Sequence, residues 1–143
     1  MTIEYIAGFF DGEGTINIVK NKIRISIPQT NLEVLENIKE FLTFGSIFKE
    51  KKRKEHWKDS WVLYTGNSND TFQFLNMVYP YLIVKKEKAK EAISTYTKFL
   101  DTKKGIETEK EKIRNLVKSG KSYRTIEKET GIGRQTIVRI MKN

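Results

Sequence analysis

Nine consecutive residues decide how the rest of the sequence is interpreted: Ile6-Ala7-Gly8-Phe9-Phe10-Asp11-Gly12-Glu13-Gly14. The motif overlaps the end of residues 2–12, a segment whose apolar side chains have helical spacing. The small residues Ala7, Gly8 and Gly12 let the backbone of another helix approach closely, and Glu13 sits just past the helix. If two such helices pack about a two-fold axis, their carboxylates meet and repel each other until divalent cations bind. The simpler interpretation is a buried helix that ends in a glycine-rich cap.

The composition limits the kinds of site and partner. The 143 residues include 27 Lys and Arg, 18 Asp and Glu, one histidine and no cysteine, giving a net charge of +9. A disulfide framework, zinc ribbon, iron–sulfur cluster or thiol nucleophile is excluded, and any metal must be held by oxygen. Hydrophobic residues make up 38%, enough for a core, so the charge indicates a polyanionic partner. Nucleic acid is the first candidate, although basic membrane-surface proteins share this signature.

No stretch of the sequence predicts membrane insertion or secretion. The longest apolar run, residues 77–84, is far shorter than a bilayer span, and no basic-then-apolar signal segment opens the chain. We therefore expect a soluble intracellular protein of the cytoplasm, nucleoid or an organelle matrix.

Hydrophobic periodicity outlines an α+β fold. Residues 15–19 and 23–27 alternate as two strands of a hairpin that turns at residues 20–22. Asn31 is expected to cap a helix that Gly45 ends. A second hairpin has strands at residues 46–49 and 61–65. A helix capped by Asn69 or Asp70 and ended by Pro80 follows, and the next carries Ala89, Ile93, Tyr96 and Leu100.

The predicted order over residues 1–104 is therefore αββαββα, with a curved antiparallel sheet. Near Gly105 the composition changes to few aromatics and short helical patterns. We interpret residues 105–143 as a small separate all-α module on a short linker.

The nine-residue motif resembles that of the LAGLIDADG homing endonuclease family almost position by position, and the resemblance covers about residues 2–100. It implies αββαββα monomers and catalysis with a divalent metal, Mg²⁺. Only one copy of the motif is present, which implies the homodimeric branch, whose members cut a nearly palindromic DNA site. One departure is a glutamate, Glu13, where the family more often has aspartate.

The resemblance also implies roles for individual residues. Glu13 and the carbonyl of Gly12 would bind metal, Gln29 would orient a water, and Lys85 would supply a positive charge at the edge of the site. The dimer interface would involve Ala7, Gly8, Phe9, Asp11 and Gly12, with Asp11 more structural than catalytic. On the residues alone, Gln29 is equally a polar residue before a helix, and Lys85 is one solvated lysine of a run.

Alternation places the isoleucines of the first hairpin against helices and leaves a polar sheet face. That face carries Thr15, Asn17, Arg24 and Ser26, and in the family the face lies in the major groove, where Asn and Arg read base edges. Cations around the second hairpin's tip would meet phosphates, unless the tip is simply a solvated turn. They are Lys49, Lys51, Lys52, Arg53, Lys54 and Lys58.

The tail, residues 122–140, resembles a helix-turn-helix of the resolvase and invertase type. Gly131 would form the turn, and Ile126, Ile132, Ile137 and Ile140 would face the core. Glu127 departs from the pattern, since alanine usually occupies the position where the helices touch. The alternative is a helical hairpin used for dimerisation. The predicted DNA-binding side chains are Arg124, Arg134, Gln135, Thr136 and Arg139.

The sequence thus predicts a site-specific endonuclease that acts as a homodimer on double-stranded DNA. Two alternatives stay open. One is a transcriptional regulator on the same scaffold that no longer cuts, and the other is an RNA-splicing maturase with intron RNA as a partner.

Overall fold

The computed structural model describes all residues, Met1–Asn143. The chain forms two compact units, Met1–Lys98 and Phe99–Asn143. The predicted αββαββα order is confirmed, and two short helices follow it. The elements are α1 Ile3–Glu13, β1 Thr15–Val19, β2 Lys22–Gln29, α2 Leu32–Leu42, β3 Ser46–Lys49, β4 Trp61–Thr65, α3 Ser68–Val78, α4 Lys86–Lys118, α5 Tyr123–Thr130 and α6 Arg134–Lys142.

Local signals define both ends of α1. At its start the Thr2 hydroxyl accepts a hydrogen bond from the Tyr5 N–H. At its end the Gly14 N–H donates to the Phe10 carbonyl at 2.8 Å. A Cβ on Gly14 would lie 2.1 Å from the Phe10 ring, so this glycine is required by close packing.

The four strands form one antiparallel sheet in the order β1-β2-β4-β3. Ile23, Ile25 and Ile27 of β2 are fully buried, and Leu63 of β4 lies beside them in the core. The residues that alternate with the buried ones along β1 and β2 lie on the opposite face of the sheet. That face is open, as the alternation predicted.

Two buried threonines join α3 to the sheet. The hydroxyls of Thr65 and Thr71 lie 2.6 Å apart, and the Thr65 hydroxyl also accepts from the Ile25 N–H. Helix α3 begins earlier than predicted, because Asn67, not Asn69 or Asp70, caps it. Ser68 fixes this start by hydrogen bonds to both backbone groups of Ile23.

The linker predicted near Gly105 is wrong, because α4 continues unbroken through that position. A single glycine costs a helix only about 1 kcal/mol, and strong helix formers flank it here. In the second unit, the end of α4 packs with α5 and α6 around Ile113, Ile126, Ile137 and Ile140. No helix is long and apolar enough to cross a bilayer.

Candidate functional site

Glu13 is the last residue of α1, and its carboxylate is exposed. It forms no ion pair with any Lys or Arg of the chain. The carbonyl of Gly12 lies in the same last turn, where helix carbonyls have no partner in the next turn. This end of the helix therefore offers hard oxygen donors to the outside.

Asp11, two residues earlier, is 9% exposed, and its carboxylate binds groups of its own chain. Its carboxylate accepts hydrogen bonds from the backbone N–H groups of Ile83, Val84 and Lys85 at 2.8–2.9 Å. Burial is the largest influence on its pKa and raises it, but these hydrogen bonds and the Lys85 charge together lower the pKa below its usual value. Asp11 therefore anchors residues 83–85 to α1 as a carboxylate.

This anchor carries Lys85 to the end of α1. The Lys85 ammonium donates to the main-chain carbonyl of Asp11, and a cation is favoured there by the helix dipole. The structure thus brings Lys85 and Glu13, which are far apart in sequence, to one end of one helix.

Gln29 lies at the end of β2 that adjoins α1. Thr15, the first residue of β1, pairs with Ser26, so Gln29 is three residues past that pair on the helix-side face. Its side-chain oxygen accepts from the N–H of Thr30 at 2.8 Å. The side-chain amide N–H groups are left for other partners.

The exposed face of α1 is rich in glycine. Nothing lies within 4 Å of a Cβ built on Gly8 or Gly12, and Phe9 stacks on Tyr5 beside them. Of the other residues proposed for a dimer interface, Ala7 is fully buried and Asp11 nearly so. Of the predicted interface residues, Gly8 and Gly12 are exposed and Phe9 is half-buried, and the exposed Tyr5 lies beside them.

Sequence reasoning missed two exposed apolar residues next to this face. Ile83 is 85% exposed and Val84 is 79% exposed, although both lie in the longest apolar run of the chain. Asp11 holds their backbone at the end of α1. No sequence signal separates them from Leu82, which lies in the same run past Pro80 and is buried.

The open sheet face has two rows of paired polar residues. Thr15, Ser26, Tyr64 and Ser46 are register neighbours across all four strands, and Asn17 pairs with Arg24. The predicted residues Thr15, Asn17, Arg24 and Ser26 are thus brought onto one face. Tyr64 and Ser46 were missed because the second hairpin's register depends on its pairing with β2.

Two of the six cations predicted to contact phosphates around the hairpin tip are held in ion pairs. Asp59 pairs with Lys49 at 2.9 Å and with Lys52 at 3.0 Å. The hydrogen bonds from Lys49 and then Lys52 lower the Asp59 pKa. Lys49 also lies on the helix-side face, 5.8 Å from the Trp61 ring centre. Lys51, Arg53, Lys54 and Lys58 form no ion pair, and they are exposed.

In the second unit, Arg124, Gln135, Thr136 and Arg139 are exposed on α5 and α6. Arg134 is exposed too, but its Nε lies 3.0 Å from the Glu127 carboxylate. Gly131 turns the chain between these helices with a φ of +73°, which favours glycine. The ion pair with Arg134 explains how Glu127 is accommodated at a position where the helix-turn-helix pattern usually has alanine.

The chain contains no group of three or more His, Cys, Asp or Glu positioned to hold a metal. Since Asp11 is engaged by backbone N–H groups, the chain has one available carboxylate at the end of α1. These donors fit a hard divalent cation in chemistry but not in number. A second copy of the helix end would complete the set.

Comparison with known proteins identifies the family and the fold of the chain. A family model described as a LAGLIDADG-like domain matches residues 1–139. No curated protein matches the sequence.

Solved structures of homing endonucleases share the fold. I-CvuI, solved with a DNA target in the presence of Mg, is 22% identical with a TM-score of 0.56, over 71% of this chain and 69% of that one. It was also solved with its target in the presence of Ca. The archaeal intron-encoded I-Vdi141I, complexed with DNA, is 23% identical with a TM-score of 0.57, over 98% and 94% of the two chains.

Proposed function

The chain belongs to the LAGLIDADG-like domain family, and from that premise we propose that it is a site-specific DNA endonuclease. It acts as a homodimer and makes a double-strand cut in a long, nearly palindromic site. The reaction is metal-assisted hydrolysis of phosphodiester bonds.

The observation that carries this proposal is the exposed carboxylate of Glu13 at the end of a helix whose open face carries Gly8 and Gly12. Glycine in an exposed helix costs about 1 kcal/mol relative to alanine, and here no atom of the chain demands it at Gly8 or Gly12. A second helix packed closely against this face would explain why both positions are glycine. Ile83 and Val84, exposed beside it, extend the same surface.

Pairing two copies through α1 brings two Glu13 carboxylates together. Their repulsion is relieved by divalent cations, for which Glu13 and the Gly12 carbonyl are suitable donors. Bound Mg²⁺ supplies charge stabilisation for the oxygens of the scissile phosphate. Lys85 adds a positive charge at the same helix end, and the side-chain amide of Gln29 would orient a water.

DNA would lie along the open sheet face, with Asn17 and Arg24 reading base edges. The four unpaired cations of the hairpin tip would contact phosphates, whereas Lys49 and Lys52 first have to leave Asp59. We assign residues 1–104 to this endonuclease domain.

For residues 105–143 we propose a helix-turn-helix that reads flanking sequence. Arg139 is free for a base contact, while Arg134 must break its ion pair with Glu127 first. Arg139→Ala should therefore relax base preference at the flanks by about 1–3 kcal/mol. Arg134→Ala should cost less, and the comparison of selected sites measures both. Equal loss of affinity at every sequence would remove the base-reading role.

The decisive test is incubation with a randomised DNA library plus Mg²⁺, followed by sequencing of the cut ends. We expect one nearly palindromic family of cut sites and no cutting in EDTA. Specific binding without cutting would instead favour the regulator, and selection of RNA in a parallel library would favour the maturase.

Assembly has its own test. Gly8→Leu should give monomers that fold but no longer cut both strands, as measured by sedimentation and cleavage. Gly105→Leu is the matched control, because Gly105 is also helical with nothing near its Cβ. A wild-type chain that sediments as a monomer both on and off DNA would contradict the proposed homodimer.

A further inference from the structure

The open sheet face contains one apolar strip among its polar residues. Pro28 of β2 pairs with Val62 of β4, and Val62 pairs with Phe48 of β3. All three lie on the face of Ser26, Tyr64 and Ser46, two positions along each strand. We call Pro28, Val62 and Phe48 the apolar row.

The apolar row is presented to the outside. Phe48 is 57% exposed, Pro28 is exposed and Val62 is half-buried. Since the row runs across three neighbouring strands, it spans about 10 Å. Three side chains are too few for a stable protein interface, for which the apolar patch is normally several hundred Å². A patch this small suits small apolar targets, such as single methyl groups.

From this geometry we propose that the apolar row reads the 5-methyl groups of thymine in the major groove. The inference rests on the proposed function and deepens it by naming bases the sheet prefers. Thymine is distinguished in the major groove by its C5-methyl group, and Phe is among the side chains suited to contact it. A span of about 10 Å confines the contacted methyls to about three neighbouring base pairs.

The row occupies a definite place on the face. The polar row of Thr15, Ser26, Tyr64 and Ser46 lies between it and the pair Asn17–Arg24. Hydrogen-bond reading and methyl reading are therefore separated along the strands. The thymine preference should occupy one block of each half-site, apart from the positions that depend on Asn17 and Arg24.

The test selects a binding site from randomised duplex DNA with Ca²⁺ in place of Mg²⁺, then replaces each selected thymine by deoxyuridine. Deoxyuridine keeps every hydrogen-bonding group and lacks only the methyl. Wild type should lose about four-fold in affinity for each contacted methyl, the factor equivalent to ~0.8 kcal/mol for a buried CH₂-sized group. Phe48→Ala should bind the two DNAs equally at the position that Phe48 contacts, and Phe48→Leu should retain the preference there.

Two controls separate this role from folding and from general DNA binding. Thermal unfolding of Phe48→Ala should match wild type, because the ring is largely exposed. Trp57→Ala removes another exposed aromatic, from the hairpin tip, and should leave the thymine-to-uracil discrimination unchanged. Val62→Thr provides a second variant of the row and should weaken the discrimination.

The outcomes are distinct. A selected site in which no thymine-to-uracil change depends on Phe48 or Val62 would overturn the inference and leave the proposed function standing. Failure to select any DNA sequence would overturn both. Discrimination lost equally in Trp57→Ala would also reject the row as its source.

Discussion

The two faces of α1 differ in what they bind. On one, Ile6 and Phe10 are buried, and Asp11 holds residues 83–85 through three backbone hydrogen bonds. On the other, nothing lies near a Cβ built on Gly8 or Gly12, and Glu13 is exposed at the end of the helix. The buried face therefore determines stability, and the open face is available for assembly and chemistry. Substitutions on the two faces should have separable effects.

The largest effect is expected on the open face. Glu13→Gln should lower the cleavage rate at least about 10³-fold, equivalent to ~4 kcal/mol, because the neutral amide binds a divalent cation poorly. Specific DNA binding and folding stability should be retained. Single-turnover cleavage and gel-shift assays measure the two, with Glu33→Gln as a control acid on α2. Wild-type cutting by Glu13→Gln would remove this face from the chemistry.

On the buried face, Asp11→Asn should destabilise the fold by about 3 kcal/mol. All three N–H groups of residues 83–85 lose a charged acceptor, and at least one loses its acceptor altogether, because the amide has only one oxygen. Urea unfolding at neutral pH measures the loss. Asp101→Asn, in exposed α4 sequence, is the control. A destabilisation no larger than in the control would show that the anchor contributes little.

The same anchor gives a pH dependence. The folded pKa of Asp11 lies below its unfolded value of 3.8. The stabilisation is therefore fully present above that value and is lost as pH falls through the folded pKa. The difference in unfolding free energy between wild type and Asp11→Asn should shrink in strong acid. A difference constant with pH would contradict a charged anchor.

The smallest effects come from two neighbouring glycines at the end of α1. Gly14→Ala should destabilise by about 2 kcal/mol, since its Cβ would overlap the Phe10 ring. Gly12→Ala should stabilise the isolated chain by about 1 kcal/mol, because its Cβ meets nothing. Unfolding at concentrations where the chain is monomeric measures both. Equal effects would mean that the two faces are not distinct.

Where periodicity was strong, the sequence predicted structure well. The alternation of Ile23, Ile25 and Ile27 placed β2 and its two faces, and Asn31 caps α2 as expected. Predictions from single residues were weaker. Gly105 does not end a helix, and Thr43, with a φ of +64°, ends α2 before Gly45.

The candidate site shows the same division. The motif identified Glu13, and the resemblance pointed to Lys85, but neither reveals that Asp11 binds the segment leading to Lys85. Likewise, alternation placed Asn17 and Arg24 on one face without showing that they pair. The apolar row was out of reach, because it depends on the register of β4 between β2 and β3.

The sequence by itself determined the order of elements, the two sides of the first hairpin and the position of an acid at the end of a glycine-bearing helix. Those features follow from spacing within short segments. Only the tertiary structure decided which of two acids, Asp11 or Glu13, is free. Both are carboxylates at one helix end, and the choice depends on backbone N–H groups 72 to 74 residues away in the chain. Burial with three donors fixes Asp11 as structure, and the absence of such partners leaves Glu13 available to a cation.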